Sequence, residues 1–234
     1  MKESPISLSD YERIVFFTGA GMSAESGVPT YRGKGGVWKE YDYEEYACQV
    51  AFDRDPAAVW EFHNYRRQLV ADCAPNIGHE IIANWERPGA SVKVVTQNID
   101  GLHQRAGNEQ VLELHGSLWK VRDELSGLVK EQFDVPFNAQ IDFAQWWRPD
   151  IVWFGDSLRG DVVREAIEAI SSCDLFISIG TSAVVYPAAE LPYHARDHGA
   201  TCVEINPEET RLSSIYHHSL RMTASEALTM MSAT

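Results

Sequence analysis

Two hydrophobic rhythms alternate along the chain. Short runs rich in β-branched and aromatic residues recur at "RIVFFTG" (13–19), "SVKVVTQN" (91–98), "VLELHG" (111–116), "DIVWFG" (150–155), "DLFISIG" (174–180), "TCVEIN" (201–206) and "LRMTA" (220–224). Several are almost continuously apolar, which is how strands covered by helices on both faces read. Between some of them lie helical patterns at 77–87, 161–172 and 186–199, the last weakened or kinked by Pro192. This alternation predicts an α/β fold built on a doubly wound parallel sheet.

Two segments break the rhythm. Residues 34–76 are largely helical in pattern. Within them "PAAVWEFHNYRRQLV" (56–70) opens on Pro56 and sets Val59, Phe62, Leu69 and Val70 on its apolar side. Residues 119–148 carry turn signals at Ser126-Gly127 and Pro136, short apolar pieces and no long period. We read them as two insertions that together build a small second domain. Residues 1–33, 77–118 and 149–234 are left to a Rossmann-like domain. A ligand is expected in the cleft between the two, at the carboxyl ends of the strands.

Composition narrows the partners. The chain has 234 residues, 44% of them hydrophobic, enough for one sizeable core or a large domain carrying a small one. Its net charge of -14 argues against nucleic-acid binding, which needs a basic surface, and suits lysine-bearing protein partners better. The segment "MKESPISLSDYER" lacks an apolar export core, and no apolar run approaches the roughly 20 residues that span a bilayer. Cys48, Cys73, Cys173 and Cys202 are scattered. They are expected to be reduced, buried thiols of a cytoplasmic protein with no membrane partner.

Candidate chemistry begins after the first strand, in "TGAGMSAESGVP" (18–29). Gly19, Gly21 and Gly27 there would open a helix at Met22–Glu25 and let the backbone approach a diphosphate, or they would simply make a tight βα turn. Gly27 comes six residues after Gly21, and no acidic residue stands in a second strand about 20 residues on. An ordinary hydride-transferring dehydrogenase is therefore not the natural reading. His115 ends a strand pattern, which by itself fits a structural histidine as well as a general base. Asp100, just before Gly101, equally fits a turn residue.

The segments "GAGMSAESGVPTYRG" (19–33), "TQNIDGLHQRAG" (96–107), "ELHGSL" (113–118), "RPDIVWFGDSL" (148–158), "GTSAVVYPAA" (180–189) and "EINPEE" (204–209) resemble, in order and spacing, those of the sirtuin family of NAD-dependent protein lysine deacylases. The resemblance runs from about Arg13 to Leu228. It implies NAD as cofactor and acyl-lysine proteins or peptides as substrates. On that resemblance Gly19, Ala20, Gly21 and Ser23 would line the phosphates of NAD. Thr30, Tyr31 and Arg32 would sit on a loop closing over the nicotinamide ribose. Gln97 and the catalytic Asn98 would contact that ribose, and Ile99 with Asp100 the carboxamide. Gly180, Thr181 and Ser182 would take the diphosphate and adenosine ribose, Asn206 the adenosine ribose and Ala224 the adenine. His115 would be the general base, with an ordinary pKa near ~6.5 suited to neutral pH. Val152, Trp153, Phe154 and Gly155 would pair with the substrate backbone as an added strand.

"GVPTYRGKGG" is closer to the class III branch, whose members remove acidic acyl groups through a Tyr-x-x-Arg pair. Aligning "EFHNYRRQL" (61–69) puts Arg66 at the arginine and His63 at the tyrosine. Arg66 would grip a carboxylate, while His63 would donate one hydrogen bond or carry a charge. Alternatively Arg66 and Arg67 form a solvated helix face. Ala47 matches a position that leaves room for bulkier acyl groups.

The family's small domain usually holds zinc through two pairs of cysteines between the His-Gly and the "RP-x-V-V-W-F-G" motif. Here that interval, Ser117–Arg148, contains no cysteine and no histidine. No metal is expected, since carboxylates alone are poor structural zinc ligands. An apolar substitute is expected from Trp119, Val121, Leu125, Leu128, Val129, Phe133, Val135, Phe137, Phe143, Trp146 and Trp147. Two rival readings stay open at this stage: an NAD glycohydrolase or ADP-ribosyltransferase, and a weakly active NAD-binding module.

Overall fold

The structure, a computed structural model, describes residues 6–30, 42–86, 91–142 and 145–233. Tyr31 and Arg32 of the expected cofactor loop, and Phe143, lie outside them. Among the described residues, six parallel strands form one sheet: β1 (Arg13–Thr18), β2 (Ser91–Thr96), β3 (Val111–Glu113), β7 (Leu175–Ile179), β8 (Thr201–Ile205) and β9 (His218–Leu220). Their order is β3-β2-β1-β7-β8-β9, as in a Rossmann fold. The chain lays down β1, β2 and β3 in one direction, then returns to the other side of β1. The order therefore reverses between β1 and β7, and a crevice opens at their carboxyl ends.

Alternation in β1 shows why the sheet reads as continuously apolar. Ile14 and Phe16 pack one face against Ile82 of helix α4 (Ile77–Trp85) and Leu228 and Met231 of α8 (Ala224–Ser232). Val15 and Phe17 pack the other against Ala166 and Ile170 of α6 (Gly160–Ser172) and Leu191 and Ala195 of α7 (Leu191–Asp197).

Among the described residues the remaining helices are α1 (Tyr43–Tyr46), α2 (Gln49–Arg54), α3 (Pro56–Ala71) and α5 (Leu102–Ala106). Helix α3 starts where expected, with Pro56 in its first turn and the Asp55 carboxylate accepting from the Ala58 amide at 3.0 Å. Beside it stands a second sheet, with β4 (Gly116–Arg122) between β5 (Val129–Glu131) and β6 (Arg148–Ile151). All its pairings are antiparallel. The expected boundaries at 118/119 and 148/149 fall within β4 and at the start of β6.

Several expectations need correction. "DIVWFG" does not join the parallel sheet; the strand there is β6, and it stops at Ile151 in the second sheet. The 186–199 pattern splits into a 3-10 turn, Ala188–Glu190, and α7. Pro192 lies in the first turn of α7, where its missing N–H costs nothing, so it starts the helix rather than kinking it. "LRMTA" is strand only to Leu220, because Thr223 and Glu226 form the capping box of α8. Met22–Glu25 is not one helix; two 3-10 turns, Ala20–Met22 and Ala24–Ser26, follow β1. All four cysteines are free, but only Cys173 and Cys202 are buried; Cys48 and Cys73 are half-exposed.

The expected apolar filler of the second sheet is only partly right. Trp119, Val121 and Phe137 are buried in a third cluster with Val59, Trp60, Val70 and Trp153, and Val135, Trp146 and Trp147 pack at its edge. Leu125 is 87% exposed, and Leu128, Val129 and Phe133 are exposed as well. The reason is topological: β5 is an edge strand bonded to β4 alone, so its hairpin projects beyond the helices that cover β4. Arg67, which one reading left in solvent, is fully buried in this module.

Candidate functional site

A cavity of about 780 Å³ opens at the crevice between β1 and β7 and continues to the second sheet. Its floor is a backbone contact. A Cβ on Gly21 would come within 2.6 Å of the Gly180 Cα, and one on Gly19 within 2.8 Å of the Gly180 oxygen. Gly180 itself has φ +60. These glycines let the turns after β1 and β7 touch, which no side chain would allow. The amides of Gly19 and Gly21 donate to Ile179 and Gly180 carbonyls, both at 2.9 Å. The amides of Met22 and Ser23 close the 3-10 turns. The glycine turn is thus a thin, preformed wall rather than the start of a helix with a free row of amides.

Asn98 follows β2 and is fixed from three sides. Its side-chain NH₂ donates to the Gly19 carbonyl at 3.0 Å and to Ser23 Oγ at 3.1 Å, and its amide donates to Thr96 Oγ1. With both side-chain protons engaged, Oδ1 is the atom that Asn98 can offer to a hydroxyl. Ser23 Oγ donates to Asp100 Oδ2 at 2.8 Å, and Asp100 Oδ1 accepts from the Leu102 amide. Burial raises the Asp100 carboxyl above its usual range, and these hydrogen bonds oppose that shift. Ser23 and Asp100 do not line the cavity; they lie buried beneath Asn98 and act on it from behind.

His115 sits between β3 and β4, just past the strand that was expected to carry it. Its Nδ1–H donates to the Gln97 carbonyl at 2.9 Å, which leaves Nε2 with its lone pair on the cavity side of the ring. Burial lowers its pKa, so the imidazole is neutral at neutral pH, as a base must be. Gly116 explains the next position. It has φ +75, and a Cβ there would fall 2.0 Å from the Asp150 carbonyl. Only glycine lets β4 approach β6 at this point and hold His115 at the cleft.

Gln97 also reaches across the crevice, its side-chain amide donating to Thr181 Oγ1 at 3.0 Å. Asn206 Nδ2 donates to the Thr181 carbonyl at 3.0 Å. Ser182 and Ala224 complete this end of the lining. At the opposite end Val152, Trp153, Phe154 and Gly155 line the cavity with Ile99, Ala47, His63 and Arg66. The Val152 amide donates to the His115 carbonyl at 2.9 Å, and the Phe154 amide to Ala47 at 3.1 Å. The Trp153 amide donates to Asp156 Oδ2 at 3.2 Å.

His63 differs from its expected role. It is 1% exposed and its pKa falls to about 3, chiefly through burial and then through the nearby Arg66 charge. Its Nδ1–H donates to the Val59 carbonyl at 2.8 Å, and its Nε2 faces the Trp153 indole N–H at 3.4 Å. It is a neutral acceptor and has no second proton to donate. Arg66 faces the cavity and stacks over the Phe62 ring at 5.7 Å.

Sequence reasoning missed three supporting groups. Buried Glu204 accepts from Thr210, Ser213 and Arg221 and so anchors the 207–210 lining. Thr18 and His103 support Thr96 from below. The Trp119 indole N–H donates to the Asp100 carbonyl at 2.6 Å. Only Glu204, a charge inside the apolar run "TCVEIN", left a signal in the sequence.

The family model described as Sir2 family matches residues 19–187. The chain belongs to the Sir2 family. It is 45% identical to the NAD-dependent protein deacylase of Aquifex aeolicus, over 92% of each chain. It is 44% identical to NAD-dependent protein deacylase 2 of Pyrobaculum aerophilum, over 94% of this chain and 90% of that one. A solved Sir2 homologue in complex with NAD superposes with a TM-score of 0.88 at 40% identity, covering 96% of this chain and 90% of that one. A Sir2 structure with a deacetylated p53 peptide and 3′-O-acetyl ADP-ribose matches with a TM-score of 0.83 at 33% identity, covering 95% and 93%. Among the described residues no helix of this Sir2-family protein is long and apolar enough to cross a membrane.

Proposed function

We propose that this Sir2-family chain is an NAD-dependent protein lysine deacylase that removes acetyl groups and also succinyl and malonyl groups. Its products are nicotinamide, free lysine and O-acyl-ADP-ribose. The observation that carries the reading is His115, neutral, tied through Nδ1 and directing Nε2 at a cleft walled by Asn98 and Gln97.

NAD suits this cleft because the glycine contact at Gly19, Gly21 and Gly180 leaves its floor free of side chains, so a diphosphate can lie close to the backbone. Ala20, Gly180, Thr181 and Ser182 would hold the diphosphate, and Asn206 and Ala224 the adenosine. Gln97 and Asn98 would orient the nicotinamide-side ribose, and Ile99, with Asp100 behind it, the carboxamide. Tyr31 and Arg32 belong to the same reading as the loop that closes over it. Bound NAD supplies an electrophilic ribose carbon and a good leaving group. His115 Nε2 takes the proton of a ribose hydroxyl, and Asn98 Oδ1 accepts from a neighbouring hydroxyl. The tie to the Gln97 carbonyl orients the ring and stabilises its charge once it is protonated.

A substrate peptide would lie along 152–155, where Val152, Trp153 and Phe154 have spent their amides inside the chain. It would therefore meet carbonyl acceptors there. A cytoplasmic setting fits four free cysteines, and the net charge of -14 fits basic protein partners rather than nucleic acid.

Arg66 supports the acidic-acyl reading, since a guanidinium on the cavity wall can take a carboxylate in bidentate fashion. His63 takes no part as a cation. Steady-state rates on acetyl- and succinyl-lysine peptides test this. Arg66→Met should lower desuccinylation about tenfold more than deacetylation. The ratio of the two activities in the unsubstituted protein should stay flat between pH 5 and 8. Equal losses on both substrates would end the carboxylate role.

A further inference from the structure

The family resemblance implies zinc in the second module, and the residues there do not fit it. Residues 117–148 contain no cysteine and no histidine. Among the described residues there is also no cluster of three or more His, Cys, Asp or Glu side chains that could hold a metal. A structural zinc ties together two chain segments that lack the apolar area to hold each other. Something else has to tie these segments.

Arg67 is one such tie. It leaves α3, is 0% exposed and reaches between the two ends of the 118–137 stretch. One end nitrogen donates to the Leu118 carbonyl on β4. The other donates to the carbonyls of Gln132 at 2.7 Å and Asp134 at 2.8 Å. Its plane lies over Trp119 at 5.0 Å and Phe137 at 5.8 Å. A forked, planar cation thus holds three backbone oxygens and two rings at once, which a lysine point charge could not do. Burial brings its pKa to about 10, so it stays charged at neutral pH.

The same tie touches the cofactor side of the cleft. The Leu118 amide donates to the Ile99 carbonyl at 2.9 Å, and the Trp119 indole donates to the Asp100 carbonyl at 2.6 Å. A Cβ on Gly101 would lie 2.7 Å from the Trp119 ring. Asp100 in turn holds Ser23, which receives Asn98.

We propose that the second module is held without a metal, with Arg67 as a principal cross-link that, through Trp119, is also a positioning residue for the Asn98–Asp100 wall. The positioning half rests on the reading of that wall as the NAD site; the cross-link half does not.

The test uses the full-length protein. Elemental analysis should find no stoichiometric zinc, and excess chelator should leave the melting temperature unchanged. Arg67→Met should lower the melting temperature by about 10 °C or prevent folding. Trp119→Phe keeps the ring and removes one donor. It should raise KM for NAD about fivefold while leaving KM for the acyl peptide unchanged. Stoichiometric zinc, a chelator-sensitive melt, or an Arg67→Met protein that melts like the parent overturns the cross-link. An unchanged NAD KM in Trp119→Phe, or equal rises in both KM values, overturns the positioning role. If no NAD-dependent activity exists at all, the reading of the site fails, and the zinc and melting results still decide the cross-link.

Discussion

The two halves that wall this cleft are held together by opposite means. In the parallel-sheet half, backbone meets backbone: Gly19 and Gly21 against Gly180, with Val15 and Phe17 filling one face of β1 and Ile14 and Phe16 the other. In the second module a buried cation and a few aromatic rings do the holding: Arg67 with Trp119 and Phe137, and Trp60, whose indole donates to the Trp147 carbonyl at 2.5 Å. The first half depends on what side chains are absent, the second on one side chain that reaches far. The seam between them is His115-Gly116, where a base from one half is set by a glycine packed on the other.

Breaking the seam should have the largest effect. Gly116→Ala combines a left-handed backbone with a Cβ on top of the Asp150 carbonyl. It should cost about 3 kcal/mol or more and reduce deacylation at least about 100-fold, read by thermal melts and peptide turnover. Gly107→Ala is the control. It shares a positive φ, +107, but nothing lies within 4 Å of the added Cβ. It should cost only about 1 kcal/mol. Equal costs would mean that backbone strain alone, and not the meeting of the halves, explains Gly116.

Acid should loosen both halves together. His63 in the second module has a pKa of about 3, and His79 and His103 under the parallel sheet have values of about 3 and about 4, all chiefly through burial. A histidine that is neutral when folded and titrates near 6.5 when unfolded binds fewer protons in the native state. Stability is therefore full above pH 6.5 and is lost as pH falls toward the folded pKa values. Each histidine should remove about 1.4 kcal/mol per pH unit over that window. Urea unfolding at pH 7, 6, 5 and 4.5 checks this. His63→Gln should lower the slope by about 1.4 kcal/mol per pH unit, and a slope unchanged by it would show that His63 is not buried neutral.

The two halves also differed in how far the sequence revealed them. Strand runs and the glycine turn were readable because they follow from local demands: apolar continuity where helices cover both faces, and glycine where backbones touch. The expected helix at Met22–Glu25 failed because four residues between two turn glycines have no room for a helical turn with its own hydrogen bonds. "DIVWFG" was assigned to the wrong sheet because apolar pattern identifies a strand but not its neighbour. In the second module the apolar tally named Leu125, Leu128 and Phe133, which the edge position of β5 leaves in solvent. Arg67 could not be found at all, since its partners are backbone oxygens 51 to 67 residues away and carry no side-chain signature. At the cavity, the placement of His115, Asn98 and Gln97 on one wall was legible from their motifs. The motifs did not show that Ser23 and Asp100 lie behind Asn98, or that both His63 nitrogens face partners inside the protein.

Under the proposed reading the seam histidine serves deacylation and not simple cleavage of NAD. Nicotinamide release by the purified protein, with and without an acetyl-lysine peptide and with mass detection of the ribose product, tests it most directly. Deacylation predicts release only with the acylated peptide, accompanied by O-acetyl-ADP-ribose, and a loss of about 100-fold or more in His115→Gln. Rapid nicotinamide release without peptide, yielding free ADP-ribose and surviving His115→Gln, would contradict it.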